Sequence, residues 1–563
     1  MPHHLRAPAR HGELLLAPEG SLTDLVRANE ARLVEGHLWG RPLTEVRAEA
    51  RAEVYQLATR YTSDLIGPES VAFRSAKGRS FAEQKTTLCP PHWIIGGHQP
   101  ELFHPGVWVK NAVVAGLATQ LGGVGLNLVV DNDVCTGASV RVPCRPDTTG
   151  MTSLDWDVPR PQSPWEERPL PNAELFASFG ERCREQLRPW GIDPLAAGQD
   201  WGASPERGVV DRLVQLRARF ERSVGVRNLE LKVSDLADTQ CFRRFLIGGL
   251  RDAEVLLAAY NSALTDYRTL HRIRSRSHPV PALEATTEGI EVPFWVWRAG
   301  EVQRHRLFVQ ATGSGTLRLH DGQREVGAIS ATSETTALAQ LQDLRGQGWK
   351  IRPRALTLTL FCRICLGSVF VHGIGGAKYD EMTDALMQRW LGLTPPAIIV
   401  ATATLRLFER FAGPPLEPEI AEAARVTTDR LEPGVGPGRG RSECRLSLRE
   451  RTSFRGAKGD NTGGEIGPPG LSARPGDPAC PPPIPQHRPP RWAVRIRTAG
   501  PPRPATTPHH PAPPAIPPQP RVRREPVSEG GDARPLSASD GWRSIEREGL
   551  SMAAGQSSSP RWK

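Results

Sequence analysis

The sequence predicts an α/β fold with a parallel sheet core, helical and small antiparallel β insertions, and a disordered C-terminal tail. Two segments, 93–130 and 369–400, each have the order strand, glycine turn, helix, strand. Their strands are short apolar runs, which are typical of a parallel sheet covered on both faces. Near residue 430 the composition changes abruptly, and proline and arginine replace patterned sequence.

Hydrophobic periodicity divides the rest of the chain into helical and strand-like segments. Residues 20–66 and 236–273 have apolar positions at helical spacing, whereas 290–330 contains strand-like runs separated by turn residues. One parallel sheet interrupted by insertions is the economical interpretation. The predicted segments are an N-terminal helical segment (1–90), the first half of the core (91–144), a mostly helical insertion (145–289), a small β subdomain (290–349), the second half of the core (350–412), a truncated helix (413–433) and a disordered tail (434–563).

Positive charge and proline are concentrated in the tail. The chain has 71 Lys and Arg against 61 Asp and Glu, but residues 431–563 hold 21 basic and 12 acidic residues and 25 of the 53 prolines. Residues 1–430 therefore carry 50 basic against 49 acidic residues. The tail cannot bury enough apolar surface to offset the entropy of ordering it. It is either a genuine disordered segment or the product of an out-of-frame reading of a GC-rich gene.

The composition also limits location and partners. No window approaches the roughly 18 apolar residues of a membrane span, and the N-terminus lacks the apolar core of a secretion signal. Nine scattered cysteines favour reduced thiols. We therefore expect a cytoplasmic protein with no membrane partner. Nucleic-acid binding through the tail is not expected, because few aromatic residues accompany its arginines.

The first candidate site lies between a predicted strand and its helix, at residues 96–106, which have the sequence GGHQPELFHPG. Gly96 and Gly97 permit close backbone approach, and a helix N-terminus offers unpaired amides and a positive dipole end to an anion. His98 and His104 add donors for a phosphate or an oxyanion, or else they are loop residues that pack against their neighbours. A zinc site is not expected, because no Cys or carboxylate lies at a suitable spacing.

Asp131 and Asp133 follow the next predicted strand. Ligands of open α/β sheets bind outside the carboxyl ends of the strands, so both carboxylates are expected to face the crevice beside the histidines. There they would orient a ribose, an amine or a magnesium ion. The alternative is a turn in which one of them caps a helix.

A second glycine-rich segment, residues 372–380, also lies between a strand and a helix and has the sequence HGIGGAKYD. Glycine-rich loops of this kind cradle phosphates, and Lys378 is a candidate counter-charge. It is not a Walker A loop, because no Ser or Thr follows the lysine.

Three arginines and two cysteines precede this segment. Arg352, Arg354 and Arg363 are near the second loop, and Arg363 is either an anion contact or, more simply, a solvated charge. Cys362 and Cys365 have CxxC spacing inside an apolar run, which predicts buried thiols rather than a redox pair or a zinc ribbon.

Together these motifs resemble the bacillithiol-synthesis cysteine-adding enzymes, ligases proposed to join cysteine to glucosaminyl malate. The Thr-Gly-Gln-Gln-Pro-type loop of that family, with its Leu-Phe, Gly-Pro and helical lysine, is similar to residues 96–106 with Lys110. Its Glu-Asp-His-Asp strand end is similar to residues 131–133. Its Arg-Pro to Gly-Gly-Pro-Gly-Glu segment resembles 352–379, and its Ala-Thr-Leu strand end matches 403–405.

The resemblance implies a Rossmann-like core of the nucleotidyl-transferase class and a ligase that forms an amide or related bond to an amino-containing substrate. It implies a nucleotide, ATP or ADP, or an acidic small molecule as ligand, and a homodimer, although the C-terminal helix of the family is truncated here. The alternative is a non-catalytic ligand-binding or scaffold protein on the same fold. The expected catalytic residues are His98, His104, Asp131 and Asp133, and the expected ligand contacts are Gly96, Gly97, Gln99, Lys110, Arg352, Arg354, Gly373, Gly375, Gly376 and Lys378.

Overall fold

A computed structural model describes residues 5–68, 90–101, 105–145, 150–194 and 198–405. The predicted truncated helix and tail (413–563) lie outside these residues. The strands are β1 (Leu14–Ala17), β2 (His37–Leu38), β3 (Arg41–Pro42), β4 (Trp93–His98), β5 (Val124–Val129), β6 (Val134–Cys135), β7 (Ser139–Pro143), β8 (Met151–Asp155), β9 (Ser163–Pro164), β10 (Leu229–Lys232), β11 (Ile290–Arg298), β12 (His305–Thr312), β13 (Thr316–His320), β14 (Glu325–Ser330), β15 (Trp349–Pro353), β16 (Val369–His372) and β17 (Ile399–Ala403). The helices are α1 (Leu22–Val34), α2 (Leu43–Ile66), α3 (Pro105–Leu121), α4 (Ala173–Ala177), α5 (Phe179–Leu187), α6 (Val209–Ser223), α7 (Val233–Ala237), α8 (Gln240–Arg251), α9 (Ala253–Leu270), α10 (Glu334–Gly346), α11 (Ala355–Phe361) and α12 (Ile374–Leu391).

The largest sheet is mostly parallel and has the strand order β1-β17-β16-β4-β5-β10. Strands β17, β16, β4, β5 and β10 run parallel, and β1 pairs antiparallel with β17 at the edge. Both predicted strand-helix-strand units are present, as β4-α3-β5 and β16-α12-β17. The predicted α/β class with a parallel sheet is therefore confirmed.

Helices cover both faces of this sheet because successive apolar residues in its strands point to opposite sides. Ile94 packs with Val114 of α3 and Val26 of α1. The next residue, Ile95, belongs to the core cluster on the other face, which includes Leu386 of α12. The helix that follows β4 thus lies on one face of the sheet, and the helix that follows β16 lies on the other.

Two strands of the large sheet come from segments that were expected to be helical. β1 comes from the N-terminal segment, and β10 comes from the predicted insertion, where it pairs with β5. The sequence of β10, LELK, does not look like a buried strand. Glu230 is nevertheless fully buried, because Arg217 forms an ion pair with it at 2.6 Å. Hydrophobic periodicity does not identify this strand, because one of its buried residues is a charged residue that is paired with Arg217.

The second sheet is antiparallel, with the order β14-β13-β12-β11-β15. The prediction of a small antiparallel sheet at 290–330 is confirmed. β15 extends it with residues that were expected to belong to the core, because β15 pairs with β11 from Pro353 opposite Phe294 to Trp349 opposite Arg298.

The predicted burial of the CxxC cysteines is confirmed. Cys362 and Cys365 are free and buried in a π-helical turn that follows α11. Burial raises the pKa of the Cys365 thiol to about 12, far from the range in which a thiolate forms at neutral pH. Within the described residues, no helix combines the length and the apolar character needed to cross a membrane.

Candidate functional site

The candidate site is a crevice at the carboxyl ends of β4 and β16. These strands are neighbours, and Phe370 pairs with Ile95, so that two residues further His372 lies beside Gly97. The chain leaves β4 into α3 on one face and leaves β16 into α12 on the opposite face. Divergent connections of this kind open a crevice between adjacent strands, and ligands of open α/β sheets bind in such crevices.

Gly96 and Gly97 belong to β4 rather than to a loop, and their small size serves packing. A Cβ at Gly97 would lie 2.9 Å from the carbonyl oxygen of Leu128 in β5. A Cβ at Gly96 would lie 3.1 Å from Cγ2 of Val114 in α3. The glycines therefore let β5 and α3 approach β4 closely. The expectation that they allow close approach of a ligand is corrected, because neighbouring parts of the protein fill the space beside them.

Lys110 is a buried cation at the floor of the crevice. It lies in the second turn of α3, is only 7 % exposed, and donates from Nζ to the carbonyl of Gly97 at 3.2 Å. Within the described ranges no carboxylate forms an ion pair with it. Burial lowers the pKa of the Lys110 ammonium to about 8. Because a buried charge without a partner is costly, this position favours an anion.

The N-terminus of α12 forms the opposite wall of the crevice. β16 ends at His372, Gly373 is the N-cap residue, and no side chain caps the helix. A Cβ at Gly373 or at Gly375 would meet nothing within 4 Å, so the space in front of the first turn is open. Gly376 differs, because its Cβ would lie 2.8 Å from Nδ1 of His372. The first-turn amides of this 18-residue helix are suited to an anion.

A buried charge cluster lies beneath this wall. His372 Nε2 lies 3.1 Å from Asp380 Oδ2, and Arg363 Nη1 donates to the same oxygen at 2.7 Å. Arg363 also pairs with Asp384 at 2.7 Å. Burial alone would raise the pKa of Asp380, but His372 and Arg363 outweigh it and hold that pKa below its ordinary value. Arg363 is thus neither a solvated charge nor a contact for an anionic ligand, because its guanidinium group forms ion pairs with Asp380 and Asp384.

Asp131 does not face the crevice. It is 1 % exposed and accepts hydrogen bonds from the backbone N of Ser234 at 2.9 Å and from its Oγ at 2.5 Å, at the start of α7. Burial and the nearby Glu166 raise the pKa of its carboxyl group. This corrects the expectation of two carboxylates side by side, because Asp131 serves as the helix-capping turn residue that the sequence left as an alternative.

Asp133 is the carboxylate that stays at the carboxyl edge of the sheet. Its side chain is 40 % exposed, accepts from Nε2 of Gln99 at 2.8 Å, and pairs with Arg304 at 3.1 Å. Arg304 also donates to the carbonyl of Asn132 at 2.7 Å. The side-chain amide of Gln99, an expected ligand contact, therefore forms a hydrogen bond with Asp133. His98, at the end of β4, is half-buried, and its Nδ1 lies 3.2 Å from the carbonyl oxygen of Gln99. His104 lies outside the described residues.

Arg304 and Trp295 were not found by sequence reasoning. The guanidinium of Arg304 lies 4.8 Å from the centre of the Trp295 ring, and that of Arg354 lies 4.2 Å from it. These residues come from β11, from β15's C-terminal flank and from the turn before β12. Nothing in the local sequence links Arg304 to Asp133, which is about 170 residues away, so only the tertiary fold could reveal this contact.

Arg352 and Arg354 are held by carboxylates of the protein itself. Arg352 Nε donates to Glu166 at 3.0 Å, and its Nη1 donates to Asp238 at 3.1 Å. Arg354 pairs with the fully buried Glu291 at 2.7 Å. Their expected role as ligand contacts is corrected accordingly, because buried guanidinium groups require such partners.

Lys378 is exposed in the second turn of α12.

No family model and no curated protein matches the chain significantly. The interpretation of the site therefore rests on its geometry.

Proposed function

We propose that this chain is a ligase of the cysteine-adding type, which holds a nucleotide or an acidic small molecule in the crevice between β4 and β16 and forms an amide or related bond to an amine. The observation that carries the proposal is Lys110, a buried ammonium with no carboxylate partner among the described residues. It donates to Gly97, which lies beside His372 at the end of β16, just before the uncapped N-terminus of α12. The ligase chemistry itself rests on the motif resemblance.

The strand order supports a Rossmann-like core. Numbered along the chain, the five parallel strands β4, β5, β10, β16 and β17 have the spatial order 3-2-1-4-5. This is the order of doubly wound nucleotide-binding sheets, in which the crevice opens between strands 1 and 4. The candidate crevice occupies the corresponding place, between β4 and β16.

The groups around the crevice fit a phosphate. Lys110 Nζ and the first-turn amides of α12 are donors, and among the described residues no carboxylate pairs with Lys110 and no side chain caps α12. Asp133 lies farther along the same edge, where its exposed oxygen suits a ribose hydroxyl or an amine. In the proposed reaction a substrate carboxylate would attack a phosphorus atom of bound ATP and release pyrophosphate or ADP. The amine would then attack the activated acyl carbon, lose a proton and displace AMP or phosphate as the amide bond forms.

Titration calorimetry tests the proposal directly. The full chain is titrated with ATP, ADP and cysteine, and the same titrations are repeated with Lys110→Met. We expect heat of binding with at least one nucleotide and at least tenfold weaker affinity in the variant. Arg141→Gln, which removes an exposed cation from β7, is the matched control and should bind as the wild type does. Absence of heat with every ligand would contradict the proposal.

A non-catalytic binding protein on the same fold is the second candidate. It is favoured by the burial of Asp131, because one of the two expected catalytic carboxylates is committed to capping α7. The two candidates differ in turnover. Incubation with ATP, cysteine and a panel of acidic acceptors, followed by mass spectrometry, gives a condensed product for a ligase. Nucleotide binding with no product from any acceptor would favour the binding protein.

A further inference from the structure

Four exposed cations, on α12 and on the loop that follows α9, form what we call the basic rim. Its members are Arg272, Arg274, Arg276 and Lys378, all exposed. The segment 267–283, which carries the three arginines, contains no acidic residue. No ion pair to any of the four occurs in the described part of the chain. Residues 1–430 are nearly neutral as a whole, so this excess of positive charge is local.

The arginine-bearing loop is fixed rather than loosely attached. The side chain of Arg268, at the end of α9, donates to three carbonyls of the loop, those of Arg276 at 2.5 Å, His278 at 3.0 Å and Val280 at 2.7 Å. Ile273 packs against the main core between Arg272 and Arg274. The arginines are therefore presented from a braced backbone, which reduces the conformational entropy lost when they bind a ligand.

The same loop contacts the first turns of α12. The ring of Tyr379 lies 6.3 Å from that of His278, and His271 Nε2 lies 2.7 Å from Glu381 Oε2. Glu381, the acidic residue closest to Lys378 in sequence apart from Asp380, is thus engaged by His271, and Asp380 is buried with Arg363. Neither Glu381 nor Asp380 forms an ion pair with a member of the basic rim.

The distance from the crevice fits an extended ligand. Lys378 is five residues beyond Gly373, so its Cα lies about 7.5 Å along the helix axis from the N-terminus of α12. Side chains of a helix tilt toward its N-terminus, which in α12 is the end next to the crevice. A phosphate at the first turn of α12 and a second anionic group several ångströms away would therefore meet two separate sets of donors.

We propose that the basic rim binds a second anionic group of the molecule held in the crevice, so that the ligand is an extended polyanion rather than a single-phosphate compound. This inference rests on the proposed function, because it assigns more of the ligand of the same site. Two sources share this chemistry: the phosphate chain of a nucleotide, and the carboxylates of an acidic substrate.

Calorimetry on the full chain with ATP, AMP, adenosine and succinate separates these sources. The test variant is Arg272→Gln/Arg274→Gln/Arg276→Gln. The matched control, Arg32→Gln/Arg60→Gln/Arg141→Gln, removes the same charge from exposed positions on α1, α2 and β7. We expect the test variant to bind ATP or succinate about tenfold more weakly than the control does, which corresponds to about 1.4 kcal/mol. Adenosine binding should stay the same in both variants.

The failures of the two proposals are distinguishable. If Lys110→Met loses ATP while the rim variant binds both ATP and succinate within twofold of the control, the inference is wrong and the proposed function stands. If adenosine weakens in the rim variant as much as ATP does, the rim does not act through an anionic group, which also overturns the inference. If a single-stranded 20-nucleotide DNA binds the rim more tightly than ATP does, the ligand of the rim is a nucleic acid rather than a small molecule, and the inference is overturned.

Discussion

The two glycine segments of this chain, 96–106 and 372–380, are similar in sequence but differ in what surrounds their glycines. Both lie at the end of a core strand and precede a helix. In the first, Gly96 and Gly97 are part of β4, and the space that their missing side chains leave is filled by α3 and β5. In the second, Gly373 and Gly375 border open space at the N-terminus of α12.

The difference shows that a glycine-rich motif does not by itself indicate a ligand. At the β4 side the donor is Lys110, a side chain delivered by the second turn of α3. At the β16 side the donors are backbone amides, supported from below by the cluster of His372, Asp380 and Arg363. The crevice therefore has one packed wall with a buried cation and one open wall of amides.

The largest expected effect concerns the support beneath the open wall. Arg363→Met would leave the buried Asp380 with His372 but without its guanidinium partner, and removal of one partner from a buried ion pair costs about 3–5 kcal/mol. Urea denaturation should show this loss in the free energy of unfolding. Arg60→Met, at an exposed position, is the control and should change that free energy by less than about 0.5 kcal/mol. A loss below about 1 kcal/mol in Arg363→Met would mean that the cluster does not support α12.

The next effect concerns the buried cation of the packed wall. Burial lowers the pKa of Lys110 from 10.5 to about 8, so between these pH values the unfolded chain holds more protons than the folded chain. Stability then rises with pH across this window, by up to roughly 3 kcal/mol from this group. Parallel denaturation of the wild type and Lys110→Met from pH 7 to 10.5 isolates it, because other groups titrate in both. A constant difference between the two proteins would show that Lys110 is not buried as a cation.

Gly97→Ala tests the packing of the same wall. The added Cβ would meet the backbone carbonyl of Leu128, which cannot rotate away, and overpacking of this kind costs about 1–3 kcal/mol. The midpoint of urea denaturation measures it. An unchanged midpoint would imply that β4 and β5 are farther apart than the structure places them.

Gly375→Ala tests the open wall and has the smallest expected effect. Its Cβ meets nothing within 4 Å, and alanine is favoured over glycine inside a helix by roughly 0.5–1 kcal/mol. The free energy of unfolding should therefore stay equal or rise slightly. A loss comparable to that of Gly97→Ala would remove the distinction between the two walls.

The core of the fold could be predicted because its strands carry the expected pattern. Apolar runs at Trp93 and Val369 and the helical periodicity of 107–121 identified both strand-helix-strand units. β10 could not be identified in this way, since Glu230 interrupts its apolar pattern and is buried with Arg217 and Asn127 as its partners. β1 is a short edge strand whose pairing with β17 depends on a residue pair almost 390 positions apart.

The site was predictable in part, for the same physical reason. Lys110 and the start of α12 follow core strands closely, so their position is set by local connectivity. By contrast, the hydrogen bond between Asp131 and Ser234 and the ion pair between Asp133 and Arg304 join elements that are distant in sequence. Charges such as Arg352 were misjudged because a sequence does not show which carboxylate will neutralise a buried guanidinium.

A crystal structure of the full chain with ADP tests the central claim most directly. We expect a phosphate oxygen within about 3 Å of Lys110 Nζ and of a first-turn amide of α12, the distances of ordinary hydrogen bonds. ADP bound elsewhere, with Lys110 still donating only to the carbonyl of Gly97, would contradict the assignment of the crevice as the ligand site.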